Sequence, residues 1–248
     1  CFPDGGTVDD LLVYKSSPEH FLLVVNAVNI QSVLQFLAEQ ASTFQVHIKD
    51  HSNAYALLAL QGPTAAPIIS ETISPAVLSL KPFRFQPFTW KERKIIISRT
   101  GYTGEDGFEI YLPPIQAEPF WQAVMKVGKN HGLLPAGLGA RDVLRQEAGL
   151  PLYGQELSPR ISPVQAGLEH FIAWQKPEFS GRNALRAELE NPSTSKRVGL
   201  ISARAAIPRP GFKVYWEDQP IGQVTSGTFS PTLQKGKKYQ KSLGGGDD

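Results

Sequence analysis

The sequence predicts an α+β fold, and three observations carry that reading. The first fifty residues order short apolar runs and one helical run as strand, strand, helix, strand. A second stretch, beginning near His51, mixes a strand, a short helix, a hairpin and two further helices. Beyond Ser158 proline and glycine become frequent, and apart from one helix the remaining apolar runs have strand length.

Taken in order, Gly5-Gly6 marks a turn and residues 7–14 read as a strand. Ser16-Ser17-Pro18-Glu19 turns the chain, and residues 21–25 return as its partner. Asn29 is placed to cap a helix whose apolar face is Val33, Leu34, Leu37, Ala38 and Ala41. Residues 44–48 alternate as another strand. In the second stretch, residues 55–60 form a strand that Gly62-Pro63 breaks, and 64–69 start a short helix. Residues 83–90 and 94–98 pair across Lys91-Glu92-Arg93. Residues 118–129 make an amphipathic helix with Phe120, Trp121, Val124 and Val127 inward, and 137–149 make the next. A helix over 182–189 and a linker at Asn191-Pro192-Ser193-Thr194-Ser195 precede short strands at 197–201, 212–216 and 221–225. These three strands form a β domain that stops early, because a closed β unit needs more to hide its edges.

Composition narrows the possible functions. A chain of 248 residues can bury a sizeable core as one large or two modest domains. A net charge of +2 is too small to argue for nucleic acid, and no apolar run approaches membrane-spanning length. No signal or transit segment opens the chain. The single cysteine, Cys1, excludes an internal disulfide and a cysteine-based metal cluster, so a reducing compartment is the default. The chain starts without methionine and ends in GKKYQKSLGGGDD, which lacks apolar periodicity and reads as a disordered tail. Both ends predict a fragment.

The stretch RTGYTGEDGFEIYL, from Arg99 to Leu112, is the centre of the functional reading. Gly101, Gly104 and Gly107 permit a tight loop, and Asp106-Gly107 leads into a strand. Parity puts Phe108, Ile110 and Leu112 on one face and Glu109 and Tyr111 on the other. A carboxylate beside a phenol there can read a polar heterocycle; the alternative is an ordinary hairpin whose Glu109 faces water.

Asp9 and Asp10 sit together in an otherwise apolar strand, where neighbours point to opposite faces. Either one carboxylate is buried and hydrogen-bonded or functional, or the strand is an edge with both solvated. Arg141 and Arg145 share a helix face at i, i+4 spacing. Either an external anion joins them or carboxylates from elsewhere in the chain do. The five histidines show no metal-ligand spacing, and the glycines of 101–107 form neither a dinucleotide fingerprint nor a phosphate loop. No GxSxG elbow occurs. The absence of an obvious protein nucleophile favours a reaction whose cofactor supplies it.

Five segments resemble a known family: GGTVDDLLVY, ALLALQGPTA, SRTGYTGEDGFEIYLP, PAGLGARDVLRQEAGLPLYGQEL and VTSGTFSPTLQKG. They are similar, in the same order, to the aminomethyltransferases, or T-proteins, of the glycine cleavage system. The resemblance implies a multi-lobed, folate-binding T-protein fold with a partial C-terminal β-barrel domain. It implies a partial α+β lobe over 1–50, a central folate-binding lobe over 51–170, and a linker helix, partial β domain and tail over 171–248. The implied reaction moves an aminomethyl group from the lipoyl arm of H-protein to tetrahydrofolate, releasing ammonia and forming 5,10-methylenetetrahydrofolate. Tetrahydrofolate is the co-substrate, and no metal is implied.

Carried over residue by residue, the family motifs imply that Asp10 is the catalytic carboxylate, Glu109 reads the pterin and Arg141 makes a further substrate contact. Tyr102, Tyr14 and Tyr153 fall in matching motifs and are implied to line the pocket, while Asp9 is expected to be structural. The family extends beyond this chain at both ends, including a later arginine that contacts the folate tail. The implied partners are lipoylated H-protein and a small-molecule folate, with no nucleic acid or membrane. The implied compartment is bacterial cytoplasm or mitochondrial matrix. Two other readings are a folate module without transfer activity and the folate domain of a sarcosine- or dimethylglycine-type demethylating enzyme. Relatives of the first kind carry a cysteine motif where this chain has LPLYGQEL.

Overall fold

The computed structural model describes residues 1–192, 195–202 and 206–242, with the backbone alone over 235–242. The chain divides into two compact units, one made of Cys1–Ile48 with Gly149–Asp248 and the other of Lys49–Ala148.

The first unit opens with an antiparallel hairpin of β1 (Leu12–Lys15) and β2 (Phe21–Val24), in register from Leu12 opposite Val24 to Lys15 opposite Phe21. The strand expected over 7–14 is therefore much shorter. Upstream of it, the Thr7 amide donates to the Ser158 carbonyl at 3.0 Å, and the Thr7 hydroxyl donates to the Ile161 carbonyl at 2.7 Å. With β2 only four residues long, residues 7–11 lack a ladder partner there, and Thr7 turns to the 158–161 loop instead. Helix α1 (Ile30–Ala41) follows, with Val33 buried. Asn29 precedes it, but its side chain caps nothing and reaches Asp9 instead. The strand expected over 44–48 does not form. Phe44 is 69% exposed and Val46 62% exposed, because alternation without an adjacent strand edge has nothing to pair with.

The second unit is built on a four-stranded antiparallel sheet. Its first strand β3 (Ala56–Gln61) is followed by α2 (Ala65–Thr72), then by β4 (Phe85–Trp90), β5 (Arg93–Ser98) and β6 (Gly107–Leu112). The spatial order is β3-β6-β5-β4, so β6 is paired on both sides. Lys91 and Glu92 both take positive φ, 45° and 65°, which suits the tight turn between β4 and β5. Phe108, Ile110 and Leu112 point into the core with Leu60, Ile68 and Phe120, as alternation requires. Burying each such side chain contributes about 1.5–3 kcal/mol, so a one-residue slip of β6, which would exchange the three for Gly107, Glu109 and Tyr111, is strongly disfavoured.

Helix α3 (Ala117–Gly128) packs Phe120 and Val124 against this core, with the Phe120 ring edge-on to Trp90 at 5.0 Å. Trp121, expected inward, is 40% exposed. One residue is a rotation of about 100° on a helix, and that carries it off the face that Phe120 and Val124 define. Helix α4 (Leu138–Glu147) completes the unit, entered from Gly137 in extended conformation.

Returning to the first unit, α5 (Arg182–Glu190) buries Leu185, on which Gly5 packs. Then β7 (Arg197–Ile201), β8 (Lys213–Trp216), β9 (Gln219–Ser230) and β10 (Lys235–Ser242) form one antiparallel sheet in the order β7-β10-β9-β8. The sequence reading of three short strands and a tail needs correcting here. The lysine-rich segment from 235 to 242 is an interior strand, with β9 on one side and β7 on the other. Ladder bonds on both sides hold its backbone, and these require no apolar alternation. Residues 243–248 and Ser193-Thr194 of the expected linker lie outside the described residues. Among the described residues no helix is long and apolar enough to cross a membrane.

Candidate functional site

In the second unit, the loop between β5 and β6 is closed at its base by Arg99. Its guanidinium donates to both Asp106 carboxylate oxygens, at 2.8 and 2.6 Å, and to the Leu80 carbonyl at 2.9 Å. Hydrogen bonding from Arg99 holds the Asp106 acid below its ordinary range. Glu109, on β6, lies opposite Ala59 of β3 and Ser98 of β5. It is half-buried and accepts a hydrogen bond from the Thr100 hydroxyl. Ser98 Oγ lies 2.6 Å from Thr100 Oγ1. A hydroxyl has one proton, so the chain runs in one direction, from Ser98 to Thr100 to the carboxylate. Among the described residues Thr100 is the only hydrogen-bond donor to Glu109. Glu109 is thus not the freely solvated hairpin residue of the alternative reading.

Gln61, which the sequence reading did not single out, underlies this loop. Its amide nitrogen donates to the carbonyls of Thr100 (3.1 Å) and Phe108 (3.3 Å), and its amide oxygen accepts from Thr103 at 3.2 Å. A Cβ at Gly101 or at Gly107 would collide with that amide. The two glycines therefore make room for a side chain as well as for a turn.

Helix α4 separates its two arginines. Arg145 is 2% exposed, and both its Nε and Nη2 lie 2.7 Å from Asp142 Oδ1, while Gln146 donates to Asp142 Oδ2 at 2.8 Å. The countercharge comes from its own helix. Arg141 is exposed and lies over the Tyr102 ring, 4.5 Å from its centre, with no carboxylate in ion-pair range among the described residues. Tyr102 and Arg141 are brought together as a cation–π pair.

In the first unit, Asp9 and Asp10 precede β1 rather than lying within it, so strand parity does not separate them. Both converge on Asn26, at the end of β2. The Asn26 amide nitrogen of the side chain is 2.8 Å from Asp9 Oδ1 and 2.8 Å from Asp10 Oδ1, and its backbone N–H donates to Asp9 Oδ2 at 3.0 Å. Asn29 donates to Asp9 Oδ1 at 2.6 Å. Burial, with Asp9 as a like-charged neighbour, pushes the Asp10 acid up to about 6, against the opposing hydrogen bond from Asn26. Tyr153 donates its hydroxyl to the Thr7 carbonyl at 3.2 Å. Its own pKa is pushed up, so the phenol holds its proton more tightly, by burial first and then by the charges of Asp9 and Asp10. Tyr14 is buried on β1, opposite Leu22. Among the described residues no group of three or more His, Cys, Asp or Glu side chains could hold a metal ion.

Known proteins share the sequence and fold of this chain. The GCVT N-terminal domain matches residues 1–176, and the glycine cleavage T-protein C-terminal barrel domain matches residues 196–236. The chain belongs to the glycine cleavage T-protein family. Curated relatives named aminomethyltransferase include that of Thermoanaerobacter pseudethanolicus, 47% identical over 236 residues, and that of Moorella thermoacetica, 48% identical over 238. These alignments cover 95% and 94% of this chain, and 64% of each relative. The chain thus spans a little under two-thirds of the length of the relatives it matches. A crystal structure of the glycine cleavage system aminomethyltransferase T from Bartonella henselae superposes with a TM-score of 0.87 at 31% identity, covering 98% of this chain and 66% of that one. The multi-lobed T-protein fold with its C-terminal barrel domain, expected from the sequence, is the fold this family has.

Proposed function

We propose that the protein transfers an aminomethyl group from a lipoyl thioether carried by H-protein to tetrahydrofolate. The overall exchange is balanced: the carbon gives up its bonds to sulfur and to the amino nitrogen and gains two bonds to folate nitrogens. The two folate N–H protons leave with ammonia and with the lipoyl thiol. Tetrahydrofolate supplies the nucleophilic nitrogens, which suits a chain without an obvious nucleophile of its own.

The observation that carries this reading is the Asp9–Asn26–Asp10 junction. It fixes Asp10 at the edge of burial with an acid near 6, so its carboxylate is ionised near neutral pH yet able to take up and return a proton. In its ionised form Asp10 favours the positive charge that develops on the aminomethyl carbon and nitrogen as sulfur departs. Glu109 fits the pterin: the free capacity of its carboxylate can accept two parallel hydrogen bonds from an amino group and a ring N–H. Arg141, held over the Tyr102 ring, offers a positive charge to a carboxylate of the folate tail. Tyr153 ties down the Thr7 carbonyl, and in this reading it and Tyr14 wall the Asp10 side.

The test is ammonia release from aminomethyl-lipoyl H-protein with and without tetrahydrofolate. The proposal expects release to depend on tetrahydrofolate and methylenetetrahydrofolate to form in equal amount. Ammonia release at the same rate without folate, or none with it, contradicts the proposal.

A further inference from the structure

Gln61 is the last residue of β3 and stands opposite Gly107 of β6. Cross-strand partners share a face, and Gly107, Glu109 and Tyr111 share a face by parity. Gln61 therefore lies on the carboxylate side of the sheet, in the space a side chain at Gly107 would take. From there its amide holds the loop at three points. The nitrogen bonds the carbonyls of Thr100, just before the loop, and Phe108, just after it, while the oxygen accepts from Thr103 at the tip. Thr103 is fixed in turn because its hydroxyl also accepts from the Glu105 amide at 3.3 Å.

We propose that Gln61 is a positioning residue for the Glu109 carboxylate: it holds the Thr100 backbone, and the Thr100 hydroxyl holds the carboxylate. The inference rests on the reading of Glu109 as the pterin ligand. Every link is a bond described above. Gln61 touches Thr100 through its carbonyl, Thr100 touches Glu109 through its hydroxyl, and Tyr102 occupies the two-residue interval between Thr100 and Thr103 that Gln61 spans. Glutamine suits the task because one amide both donates and accepts. Alanine loses all three bonds. Glutamate loses the donor and places a charge against two carbonyls.

A double-mutant cycle separates positioning from general stability. Tetrahydrofolate dissociation constants are measured by calorimetry for the full chain, for Gln61→Ala, for Glu109→Ala and for the combination. Loss of the buried polar partners predicts about 10-fold weaker binding for Gln61→Ala and about 30-fold or more for Glu109→Ala. Because Gln61 acts through Glu109, the double variant should bind within about two-fold of Glu109→Ala alone. If Gln61→Ala does not fold, Gln61→Met fills the same slot without hydrogen bonds and enters the same cycle. Losses that multiply in the double variant, or wild-type affinity in the Gln61 variants, overturn the inference while leaving Glu109 as the pterin ligand. Wild-type affinity in Glu109→Ala overturns both.

Discussion

Thr100 and Glu109 are nine positions apart in sequence, and the hydroxyl of the first donates to the carboxylate of the second. The bond crosses the mouth of the glycine loop from the end of β5 to β6, and Ser98 feeds it from behind. A carboxylate held this way has one orientation, and a planar ring with two parallel donors needs one orientation to be read.

Thr100→Val tests that relationship, since valine keeps the β-branch and removes the hydroxyl. Tetrahydrofolate binding should weaken by about 10-fold or more, the scale of one hydrogen bond to a charged group. Calorimetry measures it directly. Unchanged affinity would mean that the Thr100 hydroxyl does not orient Glu109 for binding.

Asp10 makes the fold pH-sensitive in a stated direction. Its acid rises from 3.8 in the unfolded chain to about 6 in the folded one, chiefly through burial. The folded state therefore holds this proton more tightly, and stability falls as pH rises from about 4 to about 6. Asp10→Asn keeps an acceptor oxygen for Asn26 and removes the titration. Relative to wild type, this variant should gain about 2 kcal/mol between pH 4 and pH 7, measured by urea unfolding. A difference between the two proteins that does not change with pH would contradict the burial of Asp10.

Asp9 is tied to Asp10 through Asn26, so its replacement should be felt at the site. Asp9→Asn puts an amide where three donors, two from Asn26 and one from Asn29, now meet carboxylate oxygens. Stability should drop by about 1–3 kcal/mol, the cost of a buried donor facing donors. Removing the like charge should also lower the Asp10 acid, shifting the acidic limb of the pH–rate profile to lower pH. A limb that stays in place would show that the two carboxylates are not coupled.

What the sequence made legible follows from which contacts are local. The faces of β6 were readable because parity alone sets Phe108, Ile110 and Leu112 against Glu109. The Lys91-Glu92 turn was readable from two adjacent apolar runs. In sequence, Asp9 and Asp10 look like part of the apolar run that follows them, since nothing local marks Leu12 as the start of β1. The length of β1 is set by β2, and Thr7 by the distant loop at Ser158 and Ile161. Residues 44–48 show the same limit in reverse, since alternation makes a strand only where an edge waits. β10 was hidden because its partners, not its composition, hold it. Gln61 and Asn26 left no periodic mark, as each acts through side-chain bonds to residues 16 to 47 positions away.

The central claim is that Asp10 acts on the reaction while Glu109 acts on binding, and one measurement on Asp10→Asn tests it most directly. Steady-state ammonia release from aminomethyl-lipoyl H-protein gives turnover, and calorimetry with tetrahydrofolate gives affinity for the same variant. Losing one well-placed charge should lower turnover on the order of 10²-fold or more, with folate affinity within about three-fold of wild type. Near-wild-type turnover, or a loss of affinity as large as the loss of turnover, would contradict the account.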